Sequence, residues 1–123
     1  LDYMFDIFVR VIGAVAAAWL VNEGVKAYTG NSIPQHLLRW WNAIREKCLI
    51  WLKKQPKSVQ DVTRFAIVRV DNTIQRVSNL CEIQAYNEDT EEVTVVTVEK
   101  FSKEQLEELE LDDEDNNCIE IEV

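Results

Sequence analysis

The apolar positions of this chain follow different spacings in different stretches, and the spacing predicts the elements. Residues 11–21 (VIGAVAAAWLV) carry no charged side chain, and the ten residues before them hold only Asp2, Asp6 and Arg10 as charges. As a helix this stretch reaches about 30 Å, enough to cross a bilayer. It predicts a transmembrane helix over residues 1–28, with a buried core helix as the alternative. In residues 34–56 Leu37, Trp41, Ile44, Cys48 and Trp51 recur every three or four positions, the spacing of an amphipathic helix. Gly30 is the expected C-cap of the first helix, Ser32 the N-cap of the second and Pro34 its first turn, and Pro56 stops it.

Val59, Val62, Ala66, Val70, Ile74 and Val77 continue at helical spacing and predict a long third helix over 59–78. The β-branched run FAIVRV, followed by Asp71 and Asn72, keeps a strand and turn open over 65–77. After Asn79 the spacing falls to two. LCEIQAY and VTVVTVE, separated by NEDTEE, predict a hairpin. Ser102 and Gln105 form a capping box at the start of a short helix, and CIEIEV alternates as a half-buried strand. The expected fold is mainly α with a small α+β end: a transmembrane segment over 1–28, a basic helical region over 29–80 and an acidic β-β-α-β unit over 81–123.

Charge gives this layout a direction. The net charge of −9 is strongly segregated: residues 22–76 hold ten Lys and Arg against four Asp and Glu, and residues 77–123 hold sixteen Asp and Glu against Lys100 and Lys103. Asp2 and Asp6 outweigh Arg10, which argues against a secretion signal. The cations that follow the first helix place the C-terminus of a single-pass cell-membrane protein in the cytoplasm. On that helix Asp6 and Arg10 pair across one turn, and Gly13 with Ala17 and Ala14 with Ala18 form two pairs of small residues suited to self-association. Trp40, Trp41 and Trp51, with Lys53 and Lys54, mark the second helix as one lying at the membrane interface.

Chemistry is sparse. Cys48, Cys81 and Cys118 are more than thirty residues apart and lack any paired spacing, which points to reduced thiols. His36 is the single histidine, and no phosphate loop, nucleophile elbow or zinc-protease motif occurs. The carboxylates Glu110, Asp112, Asp113, Glu114 and Asp115 lack the glycine that a calcium loop requires, so they are expected to form a solvated linker. No enzyme, metal, cofactor or nucleic-acid partner is expected. The expected function is a membrane-anchored, self-associating structural or adaptor subunit, with lipid, copies of itself and a cytosolic protein as partners. A small pore-forming protein and a soluble oligomer burying its first helix are the alternatives. Assembly is assigned to Arg69 and Arg76, facing an acidic surface, and to a terminal strand with Ile119, Ile121 and Val123 that adds to a neighbouring sheet edge.

Overall fold

The computed structural model describes residues 25–70, 78–111 and 117–123. In chain order the elements are β1 (Ala27–Tyr28), α1 (Leu38–Lys53), α2 (Lys57–Gln60), β2 (Thr63–Arg69), β3 (Leu80–Asn87), β4 (Val93–Lys100), α3 (Lys103–Glu108) and β5 (Cys118–Ile121). Two short 3-10 turns, Gly30–Ser32 and Gln35–Leu37, connect β1 to α1. The strands form one sheet in the order β1-β5-β2-β3-β4. β1 runs parallel to β5, and the other three pairings are antiparallel.

This architecture corrects the mainly helical expectation, because helix and strand contribute about equally. The predicted helix over 59–78 is replaced by the short α2 followed by β2. The Thr63 hydroxyl donates to the Val59 carbonyl at 2.6 Å where the helical turn ends. Helical spacing misleads here because β2 is buried on both faces. Phe65 and Ile67 lie in the cluster beneath α1, whereas Ala66, Val68 and Val70 form a second cluster with Cys118. A strand covered on both sides is a continuous apolar run, and such a run also supplies hits at steps of three and four.

The membrane assignment is corrected as well. No helix among the described residues is long and apolar enough to cross a membrane. Ala27 and Tyr28, at the end of the predicted span, instead pair with Glu120 and Ile121 in the sheet. Asp6, Arg10, Gly13, Ala14, Ala17 and Ala18 lie outside the described residues. The tryptophans of α1 do not form an interfacial belt. Trp41 is fully buried against the sheet and packs 6.5 Å from Tyr28. Trp40 meets Phe101 edge-to-face at 5.1 Å, and Trp51 meets Phe65 in the same manner at 5.9 Å. The amphipathic spacing was that of a helix covering a sheet, with Leu37, Trp41, Ile44 and Cys48 as its buried stripe.

The strands and helix of the acidic end occur where its spacing predicts them, although β5 joins β1 and β2 in one sheet and does not pair with the hairpin. β3 and β4 form a hairpin, with a bulge in β4 opposite Ile83 and Gln84. The Asn87 side chain accepts from the amides of Asp89 and Thr90 in the turn. Ser102 and Gln105 cap α3 reciprocally, at 3.1 and 2.9 Å. Phe101, Leu106, Leu109 and Leu111 then close the cluster under α1. Replacing the central side chain of that cluster, Trp41→Ala, is expected to cost about 3–5 kcal/mol. Urea unfolding followed by circular dichroism measures it.

Candidate functional site

The outward side of α1 and the turn after it present Arg39, Arg45, Lys47, Lys53, Lys54 and Lys57 to solvent, against Glu46 alone. Acidic surfaces flank this basic one. His36 contacts Glu104, which brings α3 beside the start of α1. Gln55, Val59 and Glu92 line one small pocket, which brings the acidic hairpin tip (Glu88, Asp89, Glu91 and Glu92) beside its end. Two grooves run along the helix. One of about 500 Å³ is lined by Gln35, Leu38, Arg39, Asn42, Ala43 and Glu46. The other, of about 280 Å³, lies between α1 and β4 and is lined by Lys47, Ile50, Trp51, Lys54, Val96 and Thr97. Lys47 contacts Glu99 across the second groove, and Ile50 is 49% exposed at its rim.

The sequence-predicted site residues fall in separate places. Lys53 and Lys54 are exposed on the basic surface. Trp40, Trp41 and Trp51 belong to the helix–sheet interface just described. Arg69 donates from Nη1 to the Leu111 carbonyl at 2.5 Å, while Arg76 lies outside the described residues. Ile119 and Ile121 are buried in the chain's own sheet, where β5 fills the gap between β1 and β2, and Val123 is 40% exposed beyond it.

The thiols are inaccessible. All three thiols are buried and unbridged. Burial pushes Cys48 and Cys118 up to about 12, where the thiolate is scarce and the sulfur a poor nucleophile. Among the described residues no group of three His, Cys, Asp or Glu is arranged to hold a metal ion.

The unforeseen feature is a polar pair inside the second face of the sheet. Glu82 pairs across the strands with Val68, and Gln84 with Ala66, so both share a face with Val70 and Cys118. Each is essentially without solvent exposure. Gln84 Nε2 donates to Glu82 Oε1 at 3.2 Å, which leaves Glu82 Oε2 and Gln84 Oε1 as two buried acceptors without a donor. A proton on Glu82 turns one of those acceptors into a donor. Burial raises the Glu82 carboxyl from 4.5 to about 7, and the Gln84 hydrogen bond opposes that only in part. The alternation in LCEIQAY shows that these two share a face; it cannot show that the face is covered.

The sign of the pH effect follows from the raised value. Between about pH 4.5 and 7 the folded state holds the Glu82 proton and the unfolded state does not, so this group's contribution to stability falls as pH rises and levels off above 7. The difference is on the order of 3 kcal/mol. Glu82→Gln is expected to flatten that window, read as the difference between wild-type and variant urea midpoints from pH 4 to 8. No family model, curated protein or solved structure matches the chain.

Proposed function

We propose that this chain is a non-catalytic, self-associating structural or adaptor domain that joins copies of itself, or a protein partner, through oppositely charged surfaces. The observation that carries this reading is the basic outer side of α1 set between the acidic hairpin tip and the acidic α3. The two signs occupy different patches, so the basic patch of one copy meets an acidic patch of another, either reciprocally in a two-fold pair or head to tail in a ring or filament. The burial of all three thiols, with Cys48 and Cys118 pushed up in pKa, supports the non-catalytic part.

Each exposed ion pair contributes about 1 kcal/mol or less and is screened by salt, so many pairs must act together. In sedimentation velocity the chain is expected to form species larger than a monomer at low ionic strength and to dissociate as salt shortens the screening length below about 5 Å. The double reversal Arg45→Glu with Lys53→Glu should abolish those species without altering the circular dichroism spectrum. A wild-type chain that stays monomeric at every salt concentration defeats the self-association reading.

A further inference from the structure

β4 is an eight-residue edge strand. It pairs with β3 on one side, from Val93 opposite Tyr86 to Lys100 opposite Leu80, and among the described residues no strand pairs with its other side. The opposite edge, β1, is only two residues long. An open edge carries a row of backbone N–H and C=O groups able to accept another strand. The groove between α1 and β4 runs beside this edge, and its lining is of two kinds: Ile50 and Trp51 are apolar, and Lys47 and Lys54 are cationic. Lys54 is exposed and makes no ion pair among the described residues.

The bulge prepares the floor of the groove. Val95 pairs opposite Gln84 and Thr97 opposite Ile83, which leaves Val96 as the extra residue. Val96 packs with the cluster under α1, and both Val96 and Thr97 line the groove. Two successive side chains are thus aimed at the same face beside Ile50 and Trp51.

We propose that the outer edge of β4, with this groove, is a strand-addition site for an extended peptide of another protein carrying the pattern acidic-x-apolar-x-acidic. The inference rests on the reading of the chain as an interaction domain and names the partner chemistry at its basic side. In an added strand, alternate side chains face α1. The residue beside Val96 and Thr97 meets Ile50 and Trp51, and the residues two before and two after it stand about 13 Å apart. Lys47 and Lys54, seven residues apart on the helix, are separated by about 10 Å along its axis, and their long side chains span the difference. An acidic group at one flank therefore meets Lys54, one at the other flank shares Lys47 with Glu99, and main-chain pairing supplies the rest.

A second copy is a poorer occupant. α1 runs antiparallel to β4, since Lys47 meets Glu99 whereas Gln55 and Thr94 line one pocket. Two-fold pairing of β4 with itself would bring Lys47 of each copy toward the other copy's Lys54, setting like charges together. The bulge also twists the edge away from the flat register that two stiff sheets need, and a short peptide can follow it.

The probe is the acetylated, amidated heptapeptide Thr-Glu-Thr-Val-Thr-Glu-Thr, titrated into the isotope-labelled chain and followed by amide and indole NMR shifts. Saturable shifts are expected at Val96, Thr97 and the Trp51 indole. Affinity should fall at least tenfold in Lys54→Glu, for a peptide with lysine in place of both glutamates, and for one N-methylated at alternate residues so that strand pairing is blocked. Unchanged spectra of the unbound Lys54→Glu chain confirm that its fold is intact. Absence of saturable shifts, shifts mapping to the Arg39 groove, or equal affinity for the N-methylated peptide would each overturn the site. A chain that is monomeric at low salt yet binds the probe at β4 loses its self-association and keeps this site; one that self-associates without binding the probe keeps the former and loses the latter.

Discussion

Everything described here depends on β2 being buried on both sides. Phe65 and Ile67 anchor the layer beneath α1, and Ala66, Val68 and Val70 anchor the opposite face. With β3 on one flank and β5 on the other, the strand also has all its pairing directions filled. Removing apolar surface from water on both sides, at about 25 cal/mol per Å², is what lets a sheet with one 16-residue helix hold together. The helix, in turn, needs that sheet. Its Trp41 stripe would otherwise face water, and its basic outer side exists as a surface only because the inner one is engaged.

This constraint also explains which parts of the fold were legible in the sequence. The hairpin, the capping box at Ser102 and the strand around Ile119 were readable because local spacing, turn chemistry and capping all agreed. The stretch from Val59 onward was misread because a doubly buried strand has no polar face to mark its period. The tryptophans of α1 were assigned to the right stripe and given the wrong neighbour, since a sheet and a lipid interface both reward a Trp-rich apolar face. Within the site, Lys53 and Lys54 were legible as cations near the end of a helix. The groove was not, because Ile50 and Lys47 meet Val96 and Thr97 only through the sheet topology.

Glu82 and Gln84 show a different limit. They alternate with Cys81, Ile83 and Ala85, a pattern that usually marks a wet face, yet they are enclosed. A carboxyl kept in apolar surroundings gives up its charge when that costs less than burying it. The second face of the sheet thus carries a proton-sensitive carboxyl, whereas the buried cluster under α1 contains no Asp or Glu.

The position of β5 has a kinetic consequence. The last of the described strands along the sequence, β5, occupies an interior place in the sheet, next to β2 and parallel to β1. During synthesis the hairpin of β3 and β4 can pair with β2 while β2's other edge still lacks its partner. Closing that gap joins residues far apart in sequence, such as Ala27 and Glu120, a slow step governed by loop closure. Until it closes, the nascent chain exposes a second adhesive edge, and its vulnerability to aggregation lasts until β5 has left the ribosome.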